Sequence, residues 1–248
     1  MQRVELLAVP GLPMVKAGDD LGRLIGGRLT GELALRGGDV LVLAQKIVSK
    51  AEGRVVELRS VTPSKRAVEL AAEVQKDPRL VELILSESLR VVRSRPNVLI
   101  VEHRLGWIMA NAGIDQSNVG PQDGVERALL LPRDPDASAE TLRAGLRASA
   151  VLIIDSFGRP WRRGTAGVAI GAAGLPAMLD LRGNPDLFGR SLQVTISAFA
   201  DEIAAAASLV MGQADEAQPV VLVRGLSWKA PATAAAELIR PAAEDLFR

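Results

Sequence analysis

The stretch from Val151 to Leu175, VLIIDSFGRPWRRGTAGVAIGAAGL, constrains the chain most, because it joins unlike chemical features that globular packing alone does not require. Four apolar residues lead to Asp155; Ser156, Phe157, Gly158 and Arg159 follow. Then come the basic pair Arg162 and Arg163 and a nearly uncharged run containing Gly164, Gly167, Gly171 and Gly174. A buried strand that delivers a carboxylate and a hydroxyl to its end, beside guanidinium groups, suits metal-bound phosphate. Open sheets also place their sites beyond the ends of such strands. The glycines permit close approach of a ligand or, equally, close packing in a core.

Composition narrows the classes. The charges nearly cancel, 30 basic against 29 acidic, so no broad field favours nucleic acid or a membrane surface, and any polyanion is held locally. Cysteine is absent, which excludes disulfides, thiolate metal sites and a cysteine nucleophile. His103 is the single histidine, so a His-rich metal site is excluded; between Glu102 and Arg104 it reads as part of a solvated strand end. The opening MQRVELLAVPGLP lacks a signal-peptide pattern, and no apolar run approaches the roughly 20 residues that span a bilayer, so a cytoplasmic protein is expected.

Along the chain, Val4 to Val9 and Val40 to Ala44 read as strands, with a short helix between them capped by Asp19 or Asp20 and running to about Ile25. Gln45, Lys46 and Lys50 lie just past the second strand, where two ammonium groups can reach phosphates or simply sit in solvent; no P-loop sequence is present. Thr62-Pro63 opens a helix to about Val74 and Asp77-Pro78 another through about Ser86. Leu89 to Val92, Val98 to Glu102 and Trp107 to Ala110 form an antiparallel meander. It runs into NAGIDQSNV, where Asp115, Asn118 and their neighbours offer the oxygen ligands that hard cations prefer, or the makings of a plain turn. Asp136 or Ser138 caps a helix to about Ala148, ahead of a strand from Val151 to Ile154. Leu192 to Ala198 alternates as a strand, Asp201 caps a helix from Glu202 to Met211, and Val220 to Val223 is a further strand. Thr233 to Ile239 and Pro241 to Phe247 close the chain as short helices.

The ordered set Gly11-Leu12-Pro13, QKIVSKAEGR, NAGIDQSNV, DSFGRPWRRGTAGVAIG, DLFGR, ADEIA, LVMGQ and VVLVRG resembles the γ-glutamyl ligase family of the deazaflavin coenzyme F-420 over nearly the whole chain. The resemblance implies an amide ligase that uses GTP and a divalent metal, Mg2+ or Mn2+, with K+ as a further candidate. Its substrates are F-420-0 and L-glutamate, the acid being activated as an acyl phosphate. It implies an α+β fold of two intertwined lobes with mostly antiparallel sheets, a homodimer, and residues 1–248 as one ligase domain without the nitroreductase-like domain of longer relatives. By motif, Asp115, Asp155 and Ser156 look like metal ligands; Gln213 stands where some members carry an acid. Leu12, Pro13, Met14, Val15, Gln45, Lys46, Lys50 and Asn118, with Met211, Gly212, Gln213 and Ala214, match nucleotide-contacting positions. Asp155 and Arg163 are the catalytic candidates; Arg159, Arg162 and Arg163 are candidates for phosphate or carboxylate binding. A related ligase acting on another acid, and a noncatalytic binding homologue, are the alternatives.

Overall fold

The apolar runs at 40–43, 150–154 and 220–223 contain no polar residue to turn toward water, so each must be covered on both faces. In the computed structural model, which describes residues 3–120 and 123–245, they become the inner strands of a five-stranded sheet. The first half of the chain contains β1 (Glu5–Ala8), α1 (Leu21–Gly26), β2 (Val40–Ala44), α2 (Gln45–Ala51), β3 (Val55–Glu57), α3 (Lys65–Val74) and α4 (Pro78–Ser86). It continues with β4 (Ser88–Arg95), β5 (Val98–His103), β6 (Ile108–Ala110) and β7 (Arg127–Leu129). The second half contains α5 (Pro135–Leu146), β8 (Ala150–Arg159), β9 (Arg162–Ala173), β10 (Leu179–Asp180), β11 (Ile196–Ser197), α6 (Phe199–Met211) and β12 (Val220–Arg224). The main sheet has the order β1-β12-β2-β8-β9; β2 and β8 run parallel, and its other pairs are antiparallel.

Strand periodicity divides the core. Leu41, Leu43, Val151 and Ile153 point to the face covered by α1 and α5, where Ile25 and Leu142 pack. Val40, Val42, Leu152 and Ile154 point the other way, onto Ile203, Ala204 and Ala207 of α6. A separate core of Leu58, Val74, Val81, Ile84, Leu99 and Val101 holds α3 and α4 against the antiparallel β4-β5-β6 meander and the β3-β7 pair. The architecture is a mixed α+β one with mostly antiparallel pairing.

The glycines of β9 serve packing. A Cβ at Gly167 would overlap the Ala204 carbonyl of α6, and one at Gly171 the Pro135 carbonyl at the start of α5. Because β9 is an edge strand, its outer N–H groups need partners, and two carboxylates supply them. Asp201 Oδ1 accepts from the Ala169 N–H at 2.9 Å and Asp136 Oδ1 from the Ala172 N–H at 2.8 Å.

These ties correct the predicted caps. Asp201 lies in the first turn of α6, whose cap position is Ala198. Helix α5 is capped by Asp134 with Pro135 at its first position and ends at Leu146, so neither Asp136 nor Ser138 caps it. Ser64, after Pro63, caps α3 in place of Thr62. The predicted strand from Leu192 to Ala198 shrinks to β11, and the closing helices are 3-10 turns at Ala235–Leu238 and Ala242–Glu244; Phe247 lies outside the described residues. His103 is fully buried rather than solvated, because Nδ1 accepts from the Leu105 N–H at 3.0 Å and its ring lies 3.6 Å from Glu87. Among the described residues no helix is long and apolar enough to cross a membrane.

Candidate active site

The site forms where the parallel pair ends. Ala44 pairs with Ile154, and at Gln45 the chain leaves the sheet to form α2 rather than a solvated strand end. Asp155 is therefore the first β8 residue without a β2 neighbour, although β8 itself continues four residues further, well past its predicted end at Ile154. The helical turn also brings Lys46 and Lys50 to one side, four residues apart.

Two cavities meet at this point. The first, about 390 Å³, is walled by Leu12, Pro13, Met14 and Val15 from the loop after β1, and by Gln45, Lys46 and Lys50 from α2. Asn118, Met211, Gly212, Gln213 and Ala214 complete it, so every position matched to nucleotide contacts lies around one space. The second, about 650 Å³, runs between β6 and the β8-β9 hairpin and is lined by Ile108, Met109, Asp115, Phe157, Arg159 and Arg162, among others. Asp155 and Ser156 line both cavities. Arg163 stands beside Arg162 on the exposed hairpin, at a register irregularity of the β8-β9 pair, and lines neither space.

The first cavity is braced across three segments. Lys50 Nζ donates to the Asn118 carbonyl at 2.6 Å, and Asn118 Nδ2 donates to the Ala214 carbonyl at 3.1 Å. Burial, with the nearby Lys46 charge, holds the Lys50 ammonium below its ordinary pKa, and among the described residues no carboxylate pairs with it. Gln45 is buried; its Oε1 accepts from Ser49 Oγ at 2.8 Å, which leaves Nε2 without a partner among the described residues.

The carboxylates are arranged asymmetrically. Lys46 Nζ lies 2.6 Å from Asp115 Oδ2, while the Ser117 N–H and Oγ–H both donate to Asp115 Oδ1. Burial raises the Asp115 pKa, but Lys46 and Ser117 outweigh it and the net shift is downward. Asp155 has no such cation of its own; burial, helped by the Asp115 charge, pushes its carboxyl up to about 7. Ser156 Oγ donates to Gln213 Oε1 at 2.9 Å. Two half-buried carboxylates, one of them with no ion-pair partner among the described residues, beside a hydroxyl and an amide oxygen make an all-oxygen donor set suited to a hard divalent cation. No third acidic or imidazole side chain joins them among the described residues.

The second cavity was the less legible. Arg159 and Arg162 were candidates, but Ile108 and Met109 belong to a meander whose alternation signalled only a sheet. Ser117, which fixes both Lys46 and Asp115, sits in the polar NAGIDQSNV loop with nothing in its type to separate it from a turn serine.

Comparison with known proteins identifies the family. Residues 11–225 match the family model described as "F420-0:Gamma-glutamyl ligase". The chain is 47% identical to a "Coenzyme F420:L-glutamate ligase" of Methanothermobacter thermautotrophicus, with 99% of each chain covered. It is 46% identical to the protein of that name from Methanopyrus kandleri, covering 97% of this chain and 96% of the relative. The like-named protein of Methanocaldococcus jannaschii is 39% identical, with 100% and 98% covered. On this extent of match, the chain belongs to the F420-0:gamma-glutamyl ligase family of amide-forming enzymes.

Proposed function

We propose that the protein is a GTP-dependent ligase that joins L-glutamate to coenzyme F-420-0 and then extends a γ-linked glutamyl tail. The observation that carries this reading is the position of Asp155 and Ser156 on the walls of both cavities, one fitted to the nucleotide and the other to the acceptor.

A carboxylate is a poor acyl donor until one of its oxygens becomes part of a leaving group. In this reading an acceptor carboxylate oxygen attacks the γ-phosphorus of GTP, GDP departs, and an acyl phosphate forms. The glutamate amine then attacks the acyl carbon and loses a proton, and inorganic phosphate leaves with one former carboxylate oxygen. Lys46 and Lys50 hold phosphate oxygens in the first cavity, and the Asn118 bridge fixes Lys50 for that task. Asp115, Asp155, Ser156 and Gln213 would hold Mg2+ or Mn2+, which supplies charge neutralisation for the triphosphate. Positioning the carboxylate against the γ-phosphate contributes the rest.

The intertwined homodimer belongs to the same proposal. Leu187, Phe188 and Val194, 99%, 89% and 85% exposed in the single chain, support it as apolar surface in need of cover. The direct test of function is incubation with F-420-0, L-glutamate, GTP and magnesium. A mass gain of glutamyl residues with matching GDP is expected; no product with any nucleotide or divalent metal refutes the reading.

A further inference from the structure

The hairpin end of the second cavity carries a charge arrangement that the fold does not explain. Arg159 and Arg162 are paired in register across the turn and both line the cavity. Like charges directly opposite on neighbouring strands repel. Some exposed arginines are matched, Arg90 to Glu102 across the meander at 2.6 Å and Arg182 to Asp180 at 2.6 Å, and others, such as Arg66 and Arg93, form no ion pair among the described residues; Arg159 and Arg162 differ from these in facing each other in register on a cavity wall. Neither the Arg159 nor the Arg162 guanidinium has an ion pair or hydrogen bond among the described residues. The acids lining this cavity, Asp115 and Asp155, lie at its other end.

Strand geometry sets the spacing. Residues 155 to 159 of β8 all line this cavity, so the Asp155 carboxylate, the Phe157 ring and the Arg159 guanidinium follow one another along its wall, with a register irregularity between Gly158 and Arg159. Four residues of strand separate the ends by on the order of 13 Å. A guanidinium pair there is too far along the strand to serve the reacting carboxylate, and it lies in the cavity that the nucleotide does not fill.

We propose that Arg159 and Arg162 form a clamp for a second anionic group of the acceptor, remote from the carboxylate being activated. This assignment rests on the ligase reading above. The bound chemistry is an oxyanion that takes paired N–H donors, either a phosphate ester in the body of the acceptor or the α-carboxylate of a γ-linked glutamate already added. The clamp holds the acceptor by its far end while its reactive carboxylate lies beside Asp155, so it governs acceptor affinity and not the chemical step.

The test combines equilibrium binding of the fluorescent acceptors with turnover, in wild type, R159Q, R162Q, the double variant and, as a control, R66Q. The acceptors are F-420-0 and its forms bearing one or two glutamates. The double variant is expected to bind at least one acceptor class ten- to a hundredfold more weakly. The acceptor KM should rise in step, with kcat, the KM for GTP and thermal stability unchanged. R66Q should match wild type, since Arg66 lies on the exposed face of α3 and lines neither cavity. Weakening with every acceptor identifies the phosphate ester; weakening confined to glutamylated forms identifies the α-carboxylate. Unchanged affinity for all acceptors in the double variant, or no binding by wild type, overturns the clamp. Wild-type binding without turnover would refute the ligase reading, while the affinity ratio would still decide the clamp.

Discussion

The Lys46 ammonium lies 2.6 Å from Asp115 Oδ2, so of the two carboxylates at the cavity junction one is ion-paired, and Asp155, which feels Lys46 only at longer range, has no ion pair among the described residues. A half-buried carboxylate in that position, desolvated and beside the Asp115 charge, costs stability unless a ligand compensates it. Replacing Asp155 by the isosteric amide should therefore remove turnover by at least a hundredfold while leaving the melting temperature unchanged or slightly higher. Calorimetry beside a product assay separates the two effects; a D155N protein with near-normal turnover would contradict the assignment.

Gln213 contributes a neutral oxygen, 2.9 Å from the Ser156 hydroxyl, where an additional charge would strengthen a cation site. Q213E should bind Mn2+ more tightly, on the order of tenfold. A titration followed by calorimetry checks this, and equal affinity would place Gln213 outside the metal shell.

Glu87, at the end of α4, is tied to the residue preceding β3 and to the turn after β5 through buried and half-buried ion pairs. Its carboxylate meets Arg54 at 2.8 Å and Arg104 at 3.0 Å, and His103 stands at 3.6 Å. Burial raises its pKa, but these contacts outweigh burial and bring it down to about 2 from the ordinary 4.5. The folded-state pKa is depressed, so the stabilisation is fully present above about pH 4.5 and is lost as pH falls toward 2, by about 3 kcal/mol in all. Urea unfolding of wild type should weaken across that window. E87Q, which leaves Arg54 buried beside a neutral amide, should be less stable at pH 7 and show a flatter acid dependence.

The glycine run of β9 separates packing from freedom. G167A and G171A should each destabilise by roughly 1–3 kcal/mol, because the added methyl meets backbone carbonyls that cannot move cheaply. Gly158 has open space around the corresponding position, so G158A should leave stability within about 0.5 kcal/mol of wild type. Equal effects at all three positions would remove the helix-packing role.

The strands around the site were legible where residues announce themselves. The uninterrupted apolar runs at 40–44 and 220–223 could only be buried strands, and Asp77-Pro78 starts α4 where cap chemistry requires. Caps were misread where a carboxylate had a distant partner: Asp136 and Asp201 bond the edge of β9, a long-range contact that local spacing does not encode. At the site, the polar loop marked Asp115 and the strand marked Asp155, but only tertiary structure brings both beside Lys46. The second cavity was hidden because its apolar wall comes from ordinary meander residues and its cationic end from a hairpin whose two faces no composition distinguishes.

The central claim is that the acceptor carboxylate takes up the γ-phosphate of GTP at the junction of the two cavities. Acceptor labelled with 18O in the reacting carboxylate tests it most directly, by mass analysis of the inorganic phosphate released. Transfer of one labelled oxygen to phosphate in each turnover is predicted; phosphate free of label, formed at the same rate as the amide, would contradict it.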